Sequence, residues 1–219
     1  MSSDKEVPNW RQYEWLISKI FHDNQSSLNT KVFHDTRVVG EYSERSRQID
    51  ILVETQNSKT MIECKHYSTP IDLKAVEAFL GMFSDVKADY GVLISSSGFT
   101  KSAEKRITEF DSQITLEHLD WESAYESSFN EISYGRISDV CSHCLVNYES
   151  GKAVPGLLCW EHGFGFEVQG KLSSFSIAKC LKCKSHTVYC DSCGWFTIAE
   201  HDESCCELRN EFVRCYNET

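Results

Sequence analysis

The spacing of apolar positions changes several times along the first 120 residues. Trp10, Tyr13, Ile17 and Ile20 recur at three- and four-residue steps. That is one face of an α-helix, and it predicts a helix over residues 9–22 with Asn9 as its cap. Residues 31–39, 48–54 and 60–66 read as strands, and the four residues 55–58 suit a hairpin loop between the last two. Pro70 ends the third strand. Asp72 is placed to cap a long helix in which Val76, Phe79, Leu80, Phe83 and Val86 form one apolar stripe. Residues 90–95 are almost wholly apolar, as in a strand covered on both faces. A turn at 96–99, a helix over 100–110 and a strand over 114–118 follow. The order α-β-β-β-α-β-α-β predicts an α/β domain, a mixed sheet flanked by helices.

Beyond residue 130 the pattern is different. Long helical patterns become few, and ten of the chain's eleven cysteines lie at or after Cys141. We therefore expect two domains, residues 1–130 and a cysteine-rich one over 131–219, with 122–135 linking or packing them. Four pairs have the form of a metal knuckle: Cys141/Cys144, Cys159/His162, Cys180/Cys183 and Cys190/Cys193. Disulfides need an oxidising compartment, and the opening MSSDKEVPNW lacks the apolar core of an export signal, so zinc is the expected partner and the cytoplasm the expected location. Spacing suggests one zinc on Cys141, Cys144, Cys159 and His162, and a second on Cys180, Cys183, Cys190 and Cys193, about two structural zinc ions in all. An alternative second set is Cys190, Cys193, His201 and Cys205, leaving Cys180 and Cys183 to pair with His186. Cys206 and Cys215 read as core thiols. The arrangement resembles a zinc ribbon.

Composition narrows the function classes. The chain has 219 residues, 41% hydrophobic and 12% aromatic, which suits a folded protein. No apolar run approaches the roughly 20 residues of a membrane span. The net charge is −11, and both halves are acidic, which disfavours a nonspecific nucleic-acid coat protein. An enzyme with an acidic metal site remains compatible.

The 48–66 hairpin carries the candidate chemistry. With the turn centred on residues 56 and 57, Asp50 falls opposite Glu63. Alternation then places Asp50, Glu63 and Lys65 on one face, with Ile49, Ile51, Val53 and Ile62 on the other. Two carboxylates can hold a hard cation such as Mg2+, with the Cys64 carbonyl as a further oxygen, and a lysine can position water or neutralise charge at a phosphate. The bland alternative is a cross-strand ion pair on a wet sheet face.

Context goes further than the triad. The stretches RQIDILVE and MIECKHY, the segment Tyr67-Ser-Thr-Pro-Ile and the run ADYGVLISSSGFT resemble the PD-(D/E)xK nuclease superfamily, and most of all its Mrr-type restriction-endonuclease branch. The resemblance spans residues 10–120 and implies a restriction-endonuclease-like fold. It also implies a DNA endonuclease dependent on Mg2+ or Mn2+ and a role in defence against foreign DNA. Position by position, it assigns metal binding to Asp50 and Glu63, water activation to Lys65, and a supporting acid on the first helix to Glu14. Many Mrr-type proteins carry glutamine where this chain has Glu63. Gln48 either supports Asp50 or merely faces the same surface. The 95–100 segment either approaches the phosphate backbone or is a plain strand-to-helix turn. His34 and His66 read as ordinary strand residues.

DNA is the expected partner. The acidic charge suggests that DNA capture draws on a protein partner, a second copy of the chain or a local basic groove. Two further readings stay open: a catalytically silent fold that binds nucleic acid or protein through the zinc module, and an RNA-processing nuclease.

Overall fold

The computed structural model describes residues 8–25, 29–108, 113–130, 139–145, 154, 156–199 and 206–218. The chain divides into two compact units, Met1–Glu131 and Ile132–Thr219.

The first unit runs α1 (Asn9–Gln25), β1 (Thr30–Val39), β2 (Ser46–Thr55), β3 (Lys59–Lys65), α2 (Leu73–Val86), β4 (Tyr90–Ser95), α3 (Lys101–Thr108), β5 (Ile114–His118) and α4 (Trp121–Asn130). The five strands form one sheet in sequence order; β1, β2 and β3 pair antiparallel, and β3, β4 and β5 pair parallel. The hairpin register follows the turn: Glu54 faces Lys59, Val53 faces Thr60 and Ile51 faces Ile62.

One face of the sheet is covered by α2 and α3, with Leu52, Met61, Val76, Phe79, Leu93 and Ile107 in a shared core. The Asp72 side chain caps α2 by accepting the Ala75 N–H at 2.9 Å. Near the far end of α2, Asp85 is 4% exposed and takes the N–H groups of Tyr42 and Ser43, the Ser43 hydroxyl and the Arg47 guanidinium. It thereby holds the β1–β2 connection. These hydrogen bonds, those of Ser43 foremost, keep its pKa well below the usual carboxylate range.

Helix α1 packs on β1, β2 and β3 from the other side, and α4 packs against α1. Two expectations need correction here. The 122–135 segment does not begin as a linker, because its described part is helix α4 of the first unit; residues 131–138 lie outside the described ones. Helix α1 is not a simple amphipathic helix either, because every residue from Gln12 to Lys19 is buried. Its first turn uses the Pro8 carbonyl, which accepts the Arg11 and Gln12 N–H groups.

The second unit holds the short α5 (Ser142–Leu145), an antiparallel sheet of β6 (Leu158–Val168), β7 (Lys171–Cys180), β8 (His186–Cys190) and β9 (Phe196–Ile198), and α6 (Glu207–Glu218). Phe212 of α6 lies flat on Phe175 at 4.2 Å, and the buried Arg209 donates to the Thr197 hydroxyl and the Ile198 carbonyl. Small apolar groups on the two sides of this sheet enclose the thiols.

Candidate active site

The β2–β3 ladder stops at Ile51–Ile62. One step further, the Asp50 side chain takes over the role of a backbone partner and accepts the Cys64 N–H at 2.8 Å. The strands part at this point, and Asp50 is only 8% exposed in the opening. The alternation expected along β2 breaks here as well. Ile49 packs with Leu52 and Met61 in the α2-side core rather than with the neighbours assumed for it.

Glu63 and Lys65 lie beside this opening, and the Lys65 ammonium donates to Glu63 Oε1. Lys65 sits opposite Ser95 at the end of the parallel pair, so the site is at the C-terminal end of β3 and β4. Glu14 reaches it from α1, 6% exposed, and the charge of Asp50 acts on both Glu14 and Glu63. Glu14, Asp50, Glu63 and Lys65 thus lie within reach of one another's charge.

The site's electrostatics are set by burial and crowded negative charge. Burial, then the neighbouring Asp50 charge, pushes both Glu14 and Glu63 up to about 7. Burial also raises Asp50. For Lys65, burial works downward, but Glu63 and Asp50 outweigh it and leave the ammonium more basic than usual. Glu63 Oε2 is buried and accepts no hydrogen bond. A hard cation with oxygen ligands would satisfy that orphaned oxygen and offset the clustered negative charge, although among the described residues only thiols close to within 4.8 Å of one another in groups of three or more.

Sequence patterning did not reveal the network behind these groups. Arg11 donates to Glu14 at 2.7 Å and to Asp35, and Gln48 donates to Asp35 at 2.7 Å. Asp35 has φ +52°, a left-handed conformation rare outside glycine, at the position where the β1–β2 ladder skips Asp50. An aspartate inside a strand pattern was the only available signal for it. His66, set aside as an ordinary strand residue, stacks on Tyr13 at 5.2 Å and lies 5.3 Å from Trp121. Burial holds its pKa below the usual histidine value. The 96–99 turn is tied to the chain after β3. Ile71 donates to the Gly98 carbonyl and Thr100 to the Ile71 carbonyl, both at 2.9 Å. Gly98 has φ +77°, which explains the glycine.

The thiols regroup relative to their spacing. Cys141, Cys144, Cys180 and Cys183 have their sulfurs within 4.8 Å of one another. Cys141 faces Cys183 and Cys144 faces Cys180, each at 3.8 Å. A side chain at Gly156 would meet Cys144 Sγ at 2.7 Å and Cys180 Sγ at 2.9 Å, so the glycine leaves the room that the cluster occupies. Cys159, expected in this set, lies on β6 opposite Lys179 and is not in the group. The side chain of His162, the other expected member, lies outside the described residues. A second group is Cys190, Cys193 and Cys206, not the expected union with Cys180 and Cys183. Cys206, read as a core thiol, belongs to it, while Cys215 is exposed. His201 and Cys205 lie outside the described residues. The reason for the regrouping is topological. The β6–β7 hairpin pairs Leu158 with Cys180 and so brings the Cys180 knuckle back beside the strand entrance, where Cys141, just before α5, and Cys144, within it, stand.

No curated protein sequence matches the chain. Among solved structures, it is similar to a protein described as of unknown function, AF1548, at 20% identity and a TM-score of 0.44, over 54% of this chain and 66% of that one. It is also similar to the DNA modification-dependent restriction endonuclease AspBHI at 12% identity and a TM-score of 0.28, over 58% of this chain and 37% of that one. The chain thus spans just under two thirds and little more than one third of these proteins. No described helix is long and apolar enough to cross a membrane. Residues 8–120, which hold the whole carboxylate–lysine site, match the model of the Mrr catalytic domain, described as a restriction endonuclease, and the chain belongs to that family.

Proposed function

We propose that the first unit is a DNA endonuclease dependent on Mg2+ or Mn2+, that Asp50 and Glu63 hold the cation, and that Glu14 supports it from α1. The observation that carries this reading is the buried, unpartnered Glu63 Oε2 beside two further carboxylates and Lys65. The cation supplies charge neutralisation at the phosphoryl oxygens when bound. The residues do the rest. Asp50 is held open by the Cys64 N–H, which fixes one of its oxygens and leaves the other to face the site. Lys65 Nζ, kept protonated by its carboxylate neighbours, hydrogen-bonds the attacking water or the phosphate and offsets charge as the P–O bond to the leaving alkoxide breaks. Arg11 keeps Glu14 oriented toward the site.

The thiol groups give the second unit a structural role: one zinc on Cys141, Cys144, Cys180 and Cys183, and one at Cys190, Cys193 and Cys206. We assign target choice to this unit and a defence role to the whole chain. AspBHI, described as dependent on DNA modification, makes modified DNA a substrate worth testing.

The test is cleavage of plasmid DNA, modified phage DNA and RNA by the full chain with Mg2+, Mn2+ or EDTA. Metal-dependent DNA cutting that is lost in Asp50→Ala and Lys65→Ala supports the reading. Wild-type rates in both variants overturn it, and cutting of RNA alone replaces the substrate class.

A further inference from the structure

We infer that His66 is a positioning residue, which sets the spacing between the helix that carries Glu14 and the strand that carries Glu63 and Lys65. The inference rests on the nuclease reading above and adds a component to its site. His66 is the first residue past β3, directly after Lys65. One face of its ring lies on Tyr13, nearly parallel at 27°, and Tyr13 is the residue before Glu14. Trp121 of α4 leans on the ring at 5.3 Å. Its Nδ1 and the Ser96 hydroxyl share a hydrogen bond of 2.9 Å, and the Ser96 N–H donates to the Lys65 carbonyl at 3.0 Å.

A ring at this position is therefore tied to four elements. The stacked Tyr13 connects it to α1, the tilted Trp121 to α4, the chain to β3, and Ser96 to the exit of β4. The ties close on themselves. The Tyr13 hydroxyl donates to the Leu119 carbonyl, and the Leu119 N–H donates to the Ser95 carbonyl at 3.0 Å. Tyr13, the platform under the imidazole, is fully buried.

No purely apolar ring reproduces this, because it lacks the bond to Ser96. No small amide does either, because it lacks the stacked face. Chemistry at the site depends on the Glu14 and Lys65 groups standing in one geometry, and a misplacement of about 1 Å can cost on the order of 100-fold in rate. His66 touches neither phosphate nor cation in this scheme; it acts through Lys65 and Glu14.

The test uses the full chain with His66→Ala, His66→Phe, His66→Asn and Ser96→Ala. Three quantities are read: single-turnover cleavage at saturating Mn2+ and enzyme, Mn2+ affinity by calorimetry without DNA, and melting temperature. His66→Ala should cut about 100-fold more slowly. His66→Phe, His66→Asn and Ser96→Ala should each cut about 10-fold more slowly, at unchanged DNA affinity and with a melting temperature lowered by no more than a few degrees. The double variant His66→Phe with Ser96→Ala should be no slower than His66→Phe, because both changes remove one shared bond. Mn2+ affinity should fall several-fold in His66→Ala. Wild-type rates in His66→Phe and Ser96→Ala, or losses that only follow melting temperature, overturn the inference and leave the nuclease reading intact. If the wild type binds Mn2+ but cuts no nucleic acid, the nuclease reading falls. Mn2+ affinity then decides: a weakened His66→Ala supports the positioning role, and an unchanged one overturns it. A wild type that neither cuts nor binds Mn2+ overturns both.

Discussion

The two units hold two different kinds of ligand set, and the difference shows in how each unit is built. Three of the four members of the carboxylate site come from one hairpin, within 16 residues, and the sheet around it has an apolar core on both faces. The thiol cluster joins two knuckles whose facing cysteines are 36 and 42 residues apart, in a unit with a thin core. In the first unit the fold makes the site; in the second the site completes the fold. An ion in the first would relieve crowded charge, whereas an ion in the second would supply cohesion that the core lacks.

The largest expected effect follows directly. Stripping zinc with a chelator under reducing conditions, or changing Cys180→Ser, should unfold the second unit, because structural zinc contributes roughly 10–16 kcal/mol of folding free energy. Amide signals of β6, β7 and β8 should collapse while those of β2, β3 and α2 persist. Loss of both sets together would end the comparison, since the first unit would then lean on the second.

Removing site charges from the first unit should act on rate and leave the fold standing. Lys65→Ala and Asp50→Ala should each lower single-turnover cleavage by about 100- to 1000-fold, by analogy with the loss of one preorganised electrostatic group. Asp50→Asn should cut as poorly yet melt no lower than wild type without metal, because it keeps an oxygen for the Cys64 N–H and removes one of the crowded charges. A large drop in its melting temperature would show that Asp50 braces the strands rather than serving the site.

Much of this contrast was legible in the sequence. Periodicity located the helices and strands of the first unit, and a turn centred on residues 56 and 57 placed Asp50 across from Glu63, because hairpin register is set by the loop. Glu14 came from resemblance, since nothing in the spacing of a helix says which strand end it will meet. Asp35 and Arg11 were out of reach: their partnership depends on a left-handed residue that no pattern announces. The thiol pairing failed for a related reason. Knuckles of the same form are interchangeable by spacing, and only the β6–β7 hairpin decides which of them meet.

The pH dependence probes the first site without any ion. Unfolded glutamates titrate near pH 4.3, whereas burial and Asp50 hold Glu14 and Glu63 at about 7 when folded. The folded state therefore keeps protons that the unfolded state releases. The stability these two groups contribute is fully present below about pH 4 and lost as pH rises through about 7. Metal-free protein should show a first unit weaker at pH 8 than at pH 5, by on the order of a few kcal/mol for the two glutamates together. Glu14→Gln with Glu63→Gln should flatten that dependence, and Mn2+ should restore stability mainly at the alkaline end. Amide exchange of α1 and β2 would measure it. A double variant with an unchanged pH slope would place the cause elsewhere.

The smallest expected effect is the sharpest test of the regrouped thiols. Spacing alone made Cys159 a ligand of the first zinc, but the structure leaves it on β6 opposite Lys179 and fills that group with Cys180 and Cys183. Cys159→Ser should keep the zinc content at about two ions per chain. It should cost only about 1 kcal/mol for placing a hydroxyl where a buried thiol stood. Cys183→Ser should remove one zinc under the same conditions, although Cys183 is the less buried of the two thiols. If elemental analysis finds the reverse, the first zinc belongs to Cys159, the β6–β7 hairpin does not choose the ligands, and the cohesion of the second unit must come from knuckles that are neighbours in sequence.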